Sequence, residues 1–534
     1  MERTATMSNA YDEHHYPTKA QPQLHPDNLY TTAFLRGYSP VPVETAKVLE
    51  IGCGNGLNLL PMAAEMPQAE FVGIDYAEMP IQIAKSLSQR FGLTNVRFHQ
   101  ADICDLADDF GEFDYVIVHG FYSWVPDQAR DALWRVARGS LSPRGMMQVS
   151  YNALPGWYQT KWLREFCMFH VRSIANRDSQ IQEAWKLIEE LASMKDADNP
   201  FATVAAQTVE KGLATAIHDE LAELNTPFYL HQVAERANEF SLRYVADAVP
   251  KFMAGLQHLP PGEKILVEYG GTDPIQSEQY EDFLSQRTFR QSVFTHQAHA
   301  PSGDSFRDRL RYCWVNSALR VGEPDDEGNR IYDSPRAMMG FHSTNPMLAA
   351  LFEEIGACDP GVVLLGESSA RFLAEHPSWE GAILEEFWEL AEDLARHGVL
   401  QTYSRYIPVS ESLGERPRMA GIAKWEALLG LPLTGLFHRS ENFPDPLHRG
   451  LAAASDGTRT VAEICALLAE LMETQWSTQA PSVNLLGMPL DLLSSQVFRQ
   501  QPQLVGKRKD LERFLVVTVP VELERFRNAA LLRK

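Results

Sequence analysis

Lys47-Val48-Leu49-Glu50-Ile51-Gly52-Cys53-Gly54-Asn55-Gly56 runs a β-forming segment straight into three glycines at alternating positions, and the helix-like stretch Leu57 to Glu65 follows at once. Glycines in that pattern let the backbone turn sharply and come close to a ligand, with main-chain N–H groups offered at a helix start. The stretch therefore reads as a cofactor loop. A dinucleotide fold places its third glycine one residue later, as G-x-G-x-x-G, so the G-x-G-x-G spacing favours a ligand with no pyrophosphate to cradle.

Outward from the loop, Ala46 to Tyr151 alternates short β-branched runs with helix-like segments, which predicts an α/β, Rossmann-like sheet of parallel strands joined by crossover helices. Strands are expected at 47–51, 71–75, 96–99, 113–118 and 145–149, with a helix over Pro126 to Gly139 that carries Asp127 in its acidic first turn. Open sheets of this kind bind ligands at the carboxyl ends of their strands. Two acids stand there. Asp75 closes the second strand, about twenty residues past the glycines, where a carboxylate meets a ribose diol. Asp102, in His99-Gln100-Ala101-Asp102-Ile103, closes the third and is placed to accept from an adenine amino group. Either acid alone fits a turn or a cap equally well; the combination with the loop is what points to a site.

The run Val48 to Gly56, with Asp75 and Asp102 in register, resembles the class I methyltransferases. The resemblance implies S-adenosylmethionine as cofactor, with the loop on its methionine moiety, Asp75 on its ribose and the Asp102 region on its adenine. The implied cofactor residues are Glu50, Gly52, Cys53, Gly54, Asn55, Gly56, Asp75, Tyr76, Asp102, Ile103 and His119. Flanking segments resemble a narrower group, the bacterial methyltransferases with a regulatory domain, which includes rickettsial protein lysine methyltransferases acting on outer-membrane protein. They are Tyr11-Asp12-Glu13-His14-His15-Tyr16-Pro17, His25-Pro26, His119 to Pro126, Tyr151 to Trp157, Asn225 to His231 and Gln279 to Leu284.

His119 to Pro126 leaves the fourth strand at the rim where a substrate would meet the cofactor, and it is rich in aromatics. Tyr122 and Trp124, with Tyr16 and Tyr151, are candidates for an aromatic wall that receives an alkylamine by cation–π attraction; the alternative is that they pack a lid. Methyl transfer needs no enzyme nucleophile, only alignment and exclusion of water. A lysine acceptor must first lose its proton, for which His119 or a tyrosine hydroxyl is the candidate, against the alternative of a structural histidine. No metal is expected, since His296 and His299 stand three apart with no acid or cysteine pattern around them.

A chain of 534 residues needs several units. The sequence divides into a methyltransferase core (1–157), a helical insertion (158–244), a regulatory or core-completing segment (245–321), an acidic linker from Gly322 to Ser334, a winged-helix-like unit (335–408) and a second such unit (415–534). Strand and helix signals resume between Ile265-Leu266-Val267-Glu268-Tyr269 and Phe294, Asn345 to Pro408 shows two helices and a strand-like close, and Asp456 to Val461 is a turn feeding a helix. By resemblance, the insertion supports a homodimer. Net charge is -22, which repels polyanions and favours protein contacts over nucleic acid for the winged-helix-like units; Lys507-Arg508-Lys509 reads as a solvated helix start. The six cysteines form no C-x-x-C pair and read as reduced, and no apolar run approaches a membrane span. With no secretory signal at the start, a cytoplasmic enzyme is expected. The leading function is N-methylation of lysine side chains on a protein. The alternatives are a small-molecule methyltransferase and a non-catalytic cofactor sensor.

Overall fold

The computed structural model describes residues 18–194, 200–249, 265–317, 320–324, 330–334, 339–343, 346–377, 382–485, 488–504 and 506–534. Tyr16 and the Tyr11 to Pro17 segment lie outside them. Seven strands form one sheet: β1 (Lys47–Ile51), β2 (Glu70–Asp75), β3 (Val96–Gln100), β4 (Phe113–Val118), β5 (Leu141–Asn152), β6 (Leu242–Asp247) and β7 (Phe289–His296), in the order β3-β2-β1-β4-β5-β7-β6. Pairings among β1 to β5 are parallel, and β7 runs antiparallel between β5 and β6.

Central strands of a parallel sheet are covered on both faces, which is why β1 and β4 are mostly apolar, with Lys47, Glu50 and Asp114 the exceptions. On one face Val48, Tyr115, Ile117, Met146 and Val293 pack under α1 (Pro26–Leu35), α2 (Leu59–Glu65) and α3 (Glu78–Arg90) through Leu29, Met62, Ile81 and Ala84. On the other, Leu49, Val116, Val118, Met147, Val149 and Phe294 meet α4 (Asp127–Ser140) through Leu133, Trp134 and Ala137. β5 is longer than the sequence predicts: Ser142-Pro143-Arg144-Gly145 has the composition of a turn, yet the chain stays extended through it, with a register shift against β4 between Phe113 and Tyr115.

Residues 157–211 fold as three helices, α5 (Trp157–Val171), α6 (Arg177–Ala192) and α7 (Pro200–Lys211), around Leu163, Cys167, Ile181, Ile188 and Val204. After α8 (Leu230–Glu239) the chain returns to the sheet as β6, then passes through α9 (Pro274–Ser285) into β7. The run Ile265 to Tyr269 falls on a π-helical turn at Leu266–Gly270, and the strand signals after it belong to Phe289–His296.

Two expectations are corrected further along. Gly322 to Ser334 is not a linker: Arg320–Pro324, Arg330–Ser334 and Met339–Ser343 pair as a three-stranded antiparallel sheet. Ile331, Tyr332 and Phe341 are strand formers, and of the acidic residues that suggested a linker Asp325, Asp326 and Glu327 fall between the strands in sequence while Glu323 and Asp333 fall within them. The segment from Asn345 to Pro408 has three helices rather than two, at Pro346–Ala357, Leu365–Glu375 and Ala382–Arg396. Its closing strand Gln401–Tyr403 pairs with Trp314–Asn316, which comes from before the supposed linker.

The C-terminal region packs Ala423–Leu429, Pro446–Ala454, Val461–Thr478 and Arg508–Asn528 into one core with the hairpin Val483–Leu485 and Met488–Leu490. The turn read at Asp456 to Val461 does feed a helix. Thr460 caps it through the Glu463 N–H, and Glu463 answers by accepting from the Thr460 N–H. Arg508 opens the last helix and pairs with Glu512 at 2.6 Å. Among the described residues no helix is long and apolar enough to cross a membrane.

Candidate active site

Gly52, Gly54 and Gly56 all have left-handed φ, at 77°, 53° and 77°. The amides of Gly52 and Cys53 both donate to the Ile74 carbonyl, at 2.9 and 3.1 Å, folding the loop back over the end of β2. At Gly56 a side chain has no room, because a Cβ there would stand 2.6 Å from the Phe98 ring. Asp75 then fixes the loop from the neighbouring strand. Its Oδ2 accepts from the Gly54 N–H at 2.8 Å and its Oδ1 from the Ala77 N–H at 2.9 Å. Cys53 is buried in the loop, and burial pushes its thiol well above the usual range.

Glu50 ends β1 beneath this loop and is almost fully buried. Its Oε1 accepts from Asn58 Nδ2 at 2.9 Å, while Oε2 is buried with no donor among the described residues. Burial raises its carboxyl to about 8, with the Asn58 hydrogen bond working against that and the Asp75 charge adding to it. Asn55 is also buried, and its Oδ1 accepts from the Leu57 N–H and the Thr18 hydroxyl. Glu50, Gly52, Cys53, Gly54, Asn55, Gly56 and Asp75 thus form one cluster. Tyr76 and Asp102 stand beside it at the ends of β2 and β3, joined by Gln100, whose side-chain amide donates to the Tyr76 carbonyl at 3.3 Å. The Asp102 carboxylate caps the short turn Ile103–Asp105 by accepting from the Cys104 N–H at 2.9 Å, with Ile103 buried under it.

His119 lies just past β4, half-buried, with its Nε2 3.1 Å from Gln21 Nε2. Burial lowers the imidazole to about 4, so at neutral pH the ring is uncharged and has one donor and one acceptor nitrogen. Nδ1 is buried with no partner among the described residues. The Gln21 amide nitrogen can only donate, so Nε2 accepts and the ring proton sits on Nδ1. Trp124 is buried in the following loop, and its indole N–H likewise finds no acceptor among the described residues.

Tyr122 and Tyr151 do not join this rim, and their assignment to an aromatic wall is corrected. Tyr122 is 3% exposed, stacks edge-on against Trp134 and Tyr151, and accepts from the Trp134 indole N–H at 3.2 Å. Tyr151 is fully buried with its hydroxyl on Ser292 Oγ at 2.9 Å. Both side chains belong to the α4 face of the sheet, whereas β4 residues Tyr115 and Ile117, two and four places before His119, face the α1 side.

Four participants escaped the sequence reading: Thr18, Gln21, Asn58 and His438. Thr18 and Gln21 lie on a segment whose Ala20 carbonyl accepts from Ser440 Oγ at 3.3 Å, and His438 Nε2 sits 2.8 Å from Asn58 Oδ1. No local pattern marks them, because each partner is distant in the chain.

Residues 48–145 match a methyltransferase domain family, and residues 214–296 match a predicted methyltransferase regulatory domain, the part that supplies α8, α9, β6 and β7. Among solved structures, the chain is similar to PKMT2 from Rickettsia typhi, with 25% identity and a TM-score of 0.79 over 97% of this chain and 99% of that one; PKMT2 has also been solved in complex with AdoHcy. Two uncharacterized proteins of Rickettsia prowazekii are related. RP789 is 36% identical over 301 residues, 55% of this chain and 54% of RP789; RP028 is 35% identical over 236 residues, 43% of this chain and 94% of RP028. The chain therefore matches about half the length of the first and nearly all of the second. The loop geometry fits a ligand with an amino-acid moiety: left-handed glycines open the backbone, and the orphaned Glu50 Oε2 can accept from an ammonium group, whose charge favours the ionised carboxylate. The chain belongs to the class I S-adenosylmethionine-dependent methyltransferases that carry a methyltransferase regulatory domain.

Proposed function

We propose that this enzyme N-methylates lysine side chains of a protein substrate. The observation that carries the reading is the end-to-end likeness to PKMT2, a protein lysine methyltransferase by its name, which extends through the regulatory and C-terminal regions as well as the common core. S-adenosylmethionine supplies the methyl group on a sulfonium. The chain supplies position and dryness. Glu50 and the glycine loop hold the amino-acid end of the cofactor, Asp75 and Tyr76 its ribose, and Asp102 and Ile103 its adenine. Thr18 to Gln21 close over the loop and keep water out.

At the rim, the Gln21 side-chain amide donates to His119 Nε2 and leaves the ring proton on Nδ1, where it can hold an oxygen of the substrate and help align the amine with the transfer line. Trp124 gives the alkylamine an apolar wall with a π face. The winged-helix-like units at 335–408 and 415–534 hold the protein substrate, and a second copy packs on the bundle of α5 to α7, where Tyr158, Phe169, Met194 and Phe201 are exposed. Incubating the enzyme with isotopically labelled cofactor and a bacterial lysate, followed by mass spectrometry of the protein and small-molecule fractions, tests the reading. Methyl-lysine in protein is expected; label confined to small molecules, or no transfer, overturns it.

A further inference from the structure

His438 enters the cofactor domain from the C-terminal region, 380 residues away in sequence from the Asn58 it touches. It sits between the short strands Leu433–Thr434 and Ser440–Glu441 with φ of 54°, and its ring is buried with the His25 ring centroid at 5.2 Å. Burial lowers the imidazole to about 3, so the ring is neutral at physiological pH. Because Nε2 faces the Asn58 carbonyl oxygen at 2.8 Å, Nε2 bears the proton and donates it. Asn58 Nδ2 then donates to Glu50 Oε1 at 2.9 Å.

A side-chain amide satisfied at both ends has one orientation. The donor on His438 holds the Asn58 oxygen toward itself and so keeps the Asn58 N–H on Glu50. That fixes Oε1 and leaves the orphaned Oε2 for the ligand. We infer that His438 is a positioning residue of the cofactor site, acting through Asn58 to hold Glu50 in the geometry and charge state that receive the ammonium group of the cofactor. The inference rests on the placement of that ammonium at Glu50. The other titratable groups facing the chain of contacts are Asp75 and Cys53 near Glu50, and His25, Glu65 and Arg405 around His438.

Calorimetric titration with S-adenosylhomocysteine, which carries the same amine, from about pH 6 to about pH 9.5 tests this. An ion pair of carboxylate and ammonium gives a bell-shaped affinity profile. Its acid limb belongs to Glu50, near 8 in the free protein, and its basic limb to the ligand amine, which the ligand's own carboxylate holds above the value of a peptide α-amino group. Asparagine tolerates left-handed backbone and is too short to reach Asn58, whereas the glutamine amide N–H reaches the position of the imidazole Nε2–H. His438→Asn is expected to weaken binding roughly tenfold at neutral pH, the scale of a lost hydrogen bond to a charged site, and to move the acid limb upward while the basic limb stays. His438→Gln is expected to restore both.

An acid limb left in place by His438→Asn, or a His438→Gln profile matching the asparagine variant, overturns the role of His438. A wild-type profile with no acid limb instead overturns the placement of the ammonium at Glu50, and the inference with it. If His438→Asn does not fold, nitrogen-detected NMR of the wild-type imidazole decides: the Nε2–H tautomer sustains the relay and the Nδ1–H tautomer overturns it.

Discussion

Replacing Asp75 with alanine removes two acceptors at once, one for the Gly54 N–H and one for the Ala77 N–H. The loop loses its anchor and, on the proposed reading, a ribose contact, so cofactor affinity should fall more than about tenfold, as expected from a lost charge-assisted hydrogen bond. Titration calorimetry measures it, and an unchanged dissociation constant would remove Asp75 from the site. Tyr122 makes the opposite kind of prediction. Tyr122→Phe deprives the buried Trp134 N–H of its acceptor and should cost about 1–3 kcal/mol of stability while cofactor affinity and turnover stay at wild-type levels. Denaturant unfolding and kinetics on one preparation separate the effects; a turnover loss larger than the loss of folded protein would return Tyr122 to the rim. These two residues show what a sequence can and cannot say about a site. Asp75 was legible because its spacing from the glycines is fixed by one crossover. Tyr122 was misread because composition identifies an aromatic segment but not the face of the sheet each ring takes after a turn.

Strands were the most legible elements, since β1 and β4 are buried along nearly all their length and are apolar apart from Lys47, Glu50 and Asp114. β5 was read short because Pro143 and Gly145 imitate a turn, and β6 and β7 were only loosely placed because they return to the sheet after the α5 to α8 helices. β7 is held by chemistry that periodicity does not reveal. Arg290 is fully buried and forms a bidentate pair with Asp282 at 2.7 and 2.9 Å, and it reaches Glu278 at 2.9 Å, tying the strand to α9. Arg290→Met leaves buried Glu278 without its cation and Asp282 with only Arg287, at 3.8 Å, and the expected loss is about 3–5 kcal/mol. Urea unfolding checks this, and a cost below about 1 kcal/mol would show that water reaches the acids.

The C-terminal region and the cofactor domain share their interior. Ile422 is buried in the same cluster as Val48, Leu59 and Met62, and Arg533 pairs with Glu65 at 3.3 Å. Acid should loosen that junction, because burial holds His438 at about 3 and His25 well below its ordinary value, so both stay neutral in the folded protein. In the unfolded chain each takes up a proton near 6.5. A depressed folded value therefore gives stability that is complete above about pH 6.5 and is lost progressively as pH falls toward the folded values. Buried carboxyls such as Glu50 act with opposite sign over part of that range, so the test is a difference. His438→Gln should lose about 1–3 kcal/mol less than wild type between pH 7.5 and pH 4.5. Melting temperatures of the pair at both pH values measure it, and parallel losses would mean that His438 protonates without unfolding. The wall that His438 and Ser440 lend to the cofactor pocket also sets a schedule. A polypeptide emerging from the ribosome can lay down β1 to β5 from its first 152 residues, but Asn58 and Ala20 wait for partners 380 and 420 residues away. During synthesis the nascent enzyme passes through a long interval in which its glycine loop exists and its lid is unfastened, so tight cofactor capture is deferred until nearly the whole chain has been made.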